Sequence, residues 1–173
     1  MQDYLKDFNV SIDYWITELK RYDFDKLLIQ PVPGQWSLGQ LYQHLIDDTE
    51  FYLQQIGICF SGTQDQAEEA KAPARSMFQE NAFPDIRITG APDHATMPQP
   101  SGSDMLLEKL VAIRKQMNLF GDKFGGSAKF GKAKHPGLGY FSAAEWLQFA
   151  AIHFKHHVRQ KNRIDEFLSV GQP

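Results

Sequence analysis

The sequence contains a single cysteine, Cys59, and no long apolar run. A lone cysteine cannot form a disulfide within the chain, so we expect no disulfide framework. A membrane-spanning helix needs about 20 consecutive apolar residues, and no segment approaches that length. The first residues also lack the basic region and apolar core of an export signal. We therefore expect a cytoplasmic protein with no membrane partner.

Clusters of positive charge are absent as well. The 18 basic and 21 acidic residues are scattered along the chain, and the formal net charge is −3. Binding to a phosphate backbone requires a basic patch or stripe, so we expect no nucleic acid partner. What the chain does contain is 42% hydrophobic residues over a length of 173. This composition can build one sizeable core, and we expect a single domain over residues 1–173.

Four segments carry apolar residues at the three- and four-residue intervals of an amphipathic helix. They predict helices over about 2–22, 37–60, 103–124 and 142–169. The second and fourth of these begin with the pattern of a capping box, Ser37 with Gln40 and Ser142 with Glu145. The capping pattern and the apolar spacing therefore agree on where these two helices start.

A long connector separates the second and third predicted helices. Residues 61–101 contain five prolines, which exclude a long helix, although residues 64–72 could form a short one. No segment is a convincing strand, since alternating stretches such as residues 85–89 are short and lie among prolines. The third helix follows with Ser103 or Asp104 as its predicted N-cap.

A connector of this length can cross the full height of a helical bundle. It would let the second and third helices run in the same direction. The sequence therefore predicts an all-α fold, a four-helix bundle with a long crossover connection between helices two and three. The third helix carries no ionisable group on its apolar stripe, so we assign it a packing role.

Three histidines occupy the apolar stripes of the second and fourth predicted helices. His153 and His157 are one turn apart on the same helical face, and His44 lies on the stripe of the other helix. Buried imidazoles need polar partners. A divalent metal is one such partner, because three imidazole nitrogens can converge on one ion at about 2.1 Å. The alternative is that these are core histidines bonded to the backbone or to each other.

Other polar residues lie beside these histidines. His156 is about 60° away from His153 around the helix, so a His153/His156 pair is also geometrically possible. The centre of the stripe favours His157 as the ligand, with His156 flanking it. Asp48 and Gln160 also lie on the inner faces, where they either satisfy the histidines or orient a ligand imidazole or a bound water.

The expected ligand set is that of an open metal site. Three neutral nitrogen ligands leave one to three coordination positions open, which is typical of catalytic centres. The set suits Zn, Ni, Fe or Co. One hypothesis is therefore an enzyme whose metal activates a bound water or thiol or polarises a substrate oxygen. The other is a non-catalytic bundle whose metal is structural or adventitious and whose function lies in a dimer or partner surface.

Two segments carry a family resemblance. Residues 36–47 resemble the tryptophan-led helix start of the DinB-like (DinB/YfiT) family, and residues 153–160 resemble the second half of its signature. The resemblance implies a commonly dimeric four-helix bundle with up-down-down-up topology. It also implies three ligands of a divalent metal, often nickel or zinc: His44, His153 and His157. Asp47 matches the acid that commonly follows the first histidine, and Tyr14, beside the first helix's stripe, is a candidate dimer contact.

The resemblance is compatible with several reaction classes. Some members of the family resemble metal-dependent hydrolases, whereas others are thiol S-transferases or isomerases that use a low-molecular-weight thiol. The resemblance therefore implies a small-molecule substrate and a possible thiol partner. Substrate contacts are expected from residues 61–101 and 126–141. Arg75, Arg87 and His94 lie in the first of these segments, and we interpret them as solvated surface residues.

Overall fold

Helices dominate the computed structural model, which describes residues 4–84, 97–124 and 130–170. In chain order the helices and strands are α1 (Tyr4–Leu19), α2 (Phe24–Leu27), α3 (Leu38–Phe60), α4 (Ala72–Glu80), α5 (Ser103–Leu119), α6 (Gly121–Phe124), β1 (Lys132–His135), β2 (Gly139–Ser142) and α7 (Ala143–Val170). The four long helices α1, α3, α5 and α7 correspond to the four predicted ones. The predicted all-α bundle is confirmed.

Contacts between the long helices define the order and direction of the bundle. Helices α1 and α3 each pack against both α5 and α7. Contacts from α1 to α7 advance along both chains, from Trp15 and Phe154 to Glu18 and Lys161, so these two helices run parallel. Helix α1 is antiparallel to α5, where Asn9 pairs with Asn118 and Asp13 with Arg114. Helix α3 is antiparallel to α7, because His44 meets His157 whereas Tyr52 meets Phe149. Helices α3 and α5 therefore run in the same direction, as the crossover connection requires.

The connector contains one helix, but not where the sequence predicted it. Residues 64–71 form turns and a single bridge, and the helix is α4, beginning at Ala72. The prediction of a helix over 64–72 is therefore wrong. Pro73 lies in the first turn of α4, where a residue without an N–H costs no helical hydrogen bond, so the helix begins next to the proline instead of ending before it. The alternating stretch at residues 85–89 lies outside the described residues.

A β-hairpin precedes α7, so the prediction of no strand is wrong. Strands β1 and β2 pair antiparallel, with Lys132 opposite Ser142 and His135 opposite Gly139. Gly139 has φ +93°, and a Cβ there would lie 2.6 Å from the carbonyl oxygen of Glu69, so the position needs glycine. The hairpin packs against α3 and α7.

Both predicted capping boxes are present. The Gln40 N–H donates to Ser37 Oγ at 3.1 Å, and the Ser37 N–H donates to Gln40 Oε1 at 2.9 Å. At the start of α7, the Ser142 N–H donates to Glu145 Oε2 at 2.7 Å, and the Glu145 N–H donates to Ser142 Oγ at 3.3 Å. These reciprocal bonds satisfy amide groups that have no partner within the helix.

The third long helix departs from its predicted ends. Its N-cap is Gly102, with no side-chain cap, and neither Ser103 nor Asp104 caps it as predicted. The helix stops at Leu119, and the short helix α6 follows where a continuous helix to residue 124 was expected.

One cluster of buried apolar side chains joins the four long helices and the hairpin. Its largest fully buried members are Trp15, Trp146, Tyr42, Phe8 and Phe141. Within the described residues, every helix is too short or too polar to cross a membrane.

Candidate metal centre

Three imidazoles converge between α3 and α7. His44 lies two turns into α3, and His153 and His157 lie near the middle of α7. The Nε2 atom of His44 is 3.1 Å from Nε2 of His153 and 3.1 Å from Nε2 of His157. The Nε2 atoms of His153 and His157 are 2.9 Å apart. The structure therefore brings together all three histidines that the sequence selected.

The cluster is buried but not sealed. The exposed fractions are 4% for His44, 5% for His153 and 9% for His157. Each pair of rings meets edge to face, with centroids 4.7 to 4.9 Å apart. Such packing holds the ring planes while directing one nitrogen of each ring to a common point.

The opposite nitrogen of His157 faces a side-chain amide on the same helix. His157 Nδ1 lies 3.0 Å from Oε1 of Gln160. A carbonyl oxygen only accepts hydrogen bonds, so Nδ1 carries the proton and donates. The Nε2 lone pair of His157 then points toward the other two imidazoles. Gln160 thus has the orienting position that the sequence suggested for it.

Asp48 and Tyr52 line the other side of the cluster. Asp48 Oδ1 is 3.7 Å from His44 Nδ1, and Asp48 Oδ2 is 3.8 Å from His153 Nε2. The Tyr52 hydroxyl donates to Asp48 Oδ2 at 3.3 Å and lies 3.5 Å from His153 Nδ1. Burial first, and then the Asp48 carboxylate, raise the pKa of Tyr52 well above its usual value, so the hydroxyl keeps its proton.

Tyr52 is the residue at this site that sequence reasoning missed. Its spacing carried a signal, since it follows Asp48 by one helical turn and His44 by two. An aromatic residue on an apolar stripe is normally a core residue, and the ring of Tyr52 is indeed packed against Trp146 and Phe149. Only the fold shows that its hydroxyl reaches a histidine on α7.

Asp47 and His156 lie apart from the three converging nitrogens. Asp47 is exposed and accepts a hydrogen bond from Gln43 at 2.7 Å, on the outer face of α3. His156 is half-buried, and its ring lies 5.1 Å from that of His157 and 5.3 Å from that of Phe83. The acid beside the cluster is therefore Asp48 rather than Asp47.

Of the three connector residues interpreted as surface, the structure describes Arg75. Arg75 is exposed and donates to the carbonyl oxygen of Ala70 at 2.5 Å. Arg87 and His94 lie outside the described residues.

Two aromatic rings lie close to the histidines. The ring centroid of Trp36 is 5.0 Å from that of His44, and the ring centroid of Phe83 is 6.0 Å from that of His153.

The spacing of the three Nε2 atoms fits a shared cation. Two nitrogens that are each about 2.1 Å from one ion lie about 3.0 Å apart at a right angle and about 3.4 Å apart at a tetrahedral angle. The observed separations are 2.9 to 3.1 Å. Nitrogen lone pairs this close repel one another unless a proton or a metal lies between them. Among the described residues, only these three side chains form a group that could hold a metal ion.

Comparison with known proteins identifies one family. The family model described as the DinB superfamily matches residues 10–160, a span that includes the three histidines and both capping boxes. Comparisons with curated proteins and with solved structures found no match.

Proposed function

Because the chain belongs to the DinB superfamily, we propose that it is a divalent-metal-dependent enzyme acting on a small molecule. The proposed ligands are His44, His153 and His157. One observation carries the proposal: three Nε2 atoms from two helices meet within 3.1 Å of one another in the protein interior. Burying three imidazoles against one another is unfavourable unless something satisfies them, and a divalent ion satisfies all three at once.

The residues around the histidines support a prepared site. Gln160 holds His157 with Nε2 directed inward, Asp48 lies near Nδ1 of His44, and Tyr52 lies near Nδ1 of His153. Such partners orient ligand imidazoles and raise their basicity. A bound divalent ion would supply Lewis acidity, lowering the pKa of a bound water or thiol or polarising a substrate oxygen.

The number of ligands supports catalysis over a closed structural site. Within the described residues, no fourth side chain joins the three imidazoles as a candidate ligand. Asp48, whose side chain is 35% exposed, instead provides a hydrogen-bond acceptor beside them. Open positions and a nearby carboxylate are what a metal-dependent hydrolase or a thiol S-transferase needs. We propose these two reaction classes, the second with a low-molecular-weight thiol as partner.

The donor set bears on the identity of the metal. Three neutral imidazole nitrogens suit nickel, zinc and iron alike, and affinity order alone does not choose among them. We therefore propose nickel or zinc, with iron and cobalt following.

Metal analysis of the protein purified without a histidine tag tests the site. We expect about one divalent ion per chain, and we expect His44→Ala, His153→Ala and His157→Ala each to lower the occupancy sharply. His156→Ala is the matched control, because it removes an imidazole next to His157 that does not join the cluster. Loss of metal from His156→Ala but not from His157→Ala would show that the ligand assignment is wrong. Unchanged metal content in all four variants would leave the proposal without its basis.

Catalysis itself needs a separate measurement. The metal-loaded protein should turn over members of an ester, amide or electrophile-plus-thiol panel, and His153→Ala should be inactive on the same compounds. A protein that binds metal but acts on none of these classes would favour the alternative, a non-catalytic bundle with a structural ion.

We also propose that the protein is a homodimer. The outer face of α1 exposes Val10 by 64% and Tyr14 by 37%, one turn apart. Exposed apolar side chains grouped on one helix face favour an interface. Light scattering at micromolar concentration should give about twice the mass of the chain, and Tyr14→Glu should shift it toward the monomer. A monomeric mass for the unaltered protein would contradict this.

A further inference from the structure

Tyr52 lies at a junction between the two helices that carry the histidines. It belongs to α3, is 5% exposed, and packs its ring against Trp146 at 5.6 Å and Phe149 at 5.4 Å between centroids. Both of these partners belong to α7. The hydroxyl at the end of this ring therefore has a position set by the packing of α3 on α7.

The direction of the hydrogen bonds around this hydroxyl follows from the acceptors. A carboxylate only accepts, so the single hydroxyl proton of Tyr52 goes to Asp48 Oδ2, 3.3 Å away. The oxygen of Tyr52 then meets His153 Nδ1, 3.5 Å away, as an acceptor. His153 must donate from Nδ1 to complete this contact, and its Nε2 then carries a lone pair instead of a proton.

The unprotonated nitrogen is the one that faces the cluster. His153 Nε2 lies 3.1 Å from Nε2 of His44 and 2.9 Å from Nε2 of His157. With the opposite tautomer, the Nε2 proton would occupy the place of the metal. Gln160 performs the corresponding task for His157 from within the same helix, whereas His153 depends on a residue from the other helix.

We propose that Tyr52 is a positioning residue of the metal centre: its hydroxyl receives a hydrogen bond from His153 Nδ1, donates its own proton to Asp48, and so selects the metal-binding tautomer of His153. This inference rests on the proposed metal site and adds a residue that acts on the ion through His153.

Removing the hydroxyl alone tests this role. Tyr52→Phe keeps the ring and its packing on α7, and deletes only the oxygen. Partners of ligand histidines typically contribute about 10- to 100-fold to metal affinity. We therefore expect Tyr52→Phe to raise the dissociation constant for Ni²⁺ and Zn²⁺ by about 10-fold or more, measured by competition with a chelating indicator.

Tyr42→Phe is the matched control. Tyr42 is also buried on α3, and its hydroxyl donates to the carbonyl oxygen of Trp15 at 3.0 Å, away from the histidines. This variant loses a buried hydroxyl of the same kind, so it should lose stability without losing metal affinity. Equal affinity in Tyr52→Phe and the unaltered protein would overturn the proposal, and so would an equal loss in both variants.

A measurement on the unaltered protein covers the case in which Tyr52→Phe fails to fold. Long-range ¹H–¹⁵N correlation spectra of the zinc-loaded protein should show His153 protonated at Nδ1 and metal-bound at Nε2. Zinc bound through Nδ1 of His153 would refute the role of Tyr52 while leaving the metal site intact. A chain that binds no zinc at all would refute the metal site itself, so the two failures are distinguishable.

Discussion

At the scale of single residues, His157 and His135 differ in which ring nitrogen accepts hydrogen bonds and which donates them. At the candidate metal centre, Gln160 accepts from Nδ1 of His157 and leaves Nε2 without a proton. His135 in β1 has the opposite arrangement, because its Nδ1 accepts from the backbone N–H groups of Gly137 and Leu138 at 3.1 and 3.2 Å. The imidazole of His135 thereby ties the hairpin turn, and its ring stacks on Trp146 at 5.5 Å. The same side chain thus serves a turn in one place and, in our proposal, a ligand set in the other.

The turn role of His135 predicts a pH dependence of stability. Burial lowers the pKa of His135 from 6.5 to about 4. The unfolded chain therefore binds this proton at higher pH, so the stabilisation is complete above about pH 6.5 and is lost as the pH falls toward 4. His135→Asn keeps an acceptor for the turn but cannot titrate. We expect its free energy of unfolding, measured with urea at a series of pH values, to fall less steeply from pH 6.5 to 4 than that of the unaltered protein. Parallel pH curves for the two proteins would contradict the prediction.

At the scale of helices and strands, the features predicted correctly are the ones encoded locally. Ser37 with Gln40 and Ser142 with Glu145 mark helix starts within four residues of sequence, and both boxes form. The hairpin was not predicted because each strand has only four residues. Its position also depends on residues distant in sequence, since Gly139 packs against the carbonyl oxygen of Glu69.

The candidate site was likewise predictable only where local sequence encodes it. Helical periodicity alone places His44, His153 and His157 on buried faces, and the structure brings them together. Periodicity gives no information on how α3 is rotated and shifted against α7. The contact between the Tyr52 hydroxyl and His153 depends on that rotation and shift, so it could not be predicted from sequence.

The packing of α1 on α7 includes a buried lysine whose removal should be costly. Lys161 is 1% exposed, and its Nζ lies 2.6 Å from carboxylate oxygens of Glu18 and Asp165. Lys161→Met keeps most of the volume but leaves Asp165 without the Lys161 cation and Glu18 with only Arg21 as its cation. We expect a loss of about 3 kcal/mol in the free energy of unfolding, measured by chemical denaturation.

An exposed ion pair provides the control for Lys161. Lys109 and Glu50 link α5 to α3 at 2.8 Å, with side chains 39% and 41% exposed. Solvent screens such a pair, so Lys109→Met should change the free energy of unfolding by less than about 1 kcal/mol. If the two methionine variants were equally stable, burial would not be what gives Lys161 its importance.

At the scale of the whole molecule, the buried polar clusters and the helix that mainly supplies apolar packing are separate parts of the bundle. The converging histidines belong to α3 and α7, the buried lysine joins α7 to α1, and α5 contributes mainly apolar side chains such as Leu106 and Leu110. This agrees with the packing role expected for the third predicted helix. Helices α3 and α7 are distant in sequence, so an ion held between them would link two separate parts of the chain.

Metal binding should consequently stabilise the entire fold. An ion that binds only the folded chain adds about 2.7 kcal/mol at a free concentration 100 times its dissociation constant. For a chain of this size, that corresponds to a rise in Tm of about 5–10 °C. We expect Ni²⁺ to produce such a rise in differential scanning calorimetry and a chelator to reverse it. His44→Ala should show little or none of it, because the remaining two histidines belong to one helix and no longer join α3 to α7. An equal rise in His44→Ala would mean that the ion binds elsewhere, and the link between the two helices would have to be abandoned.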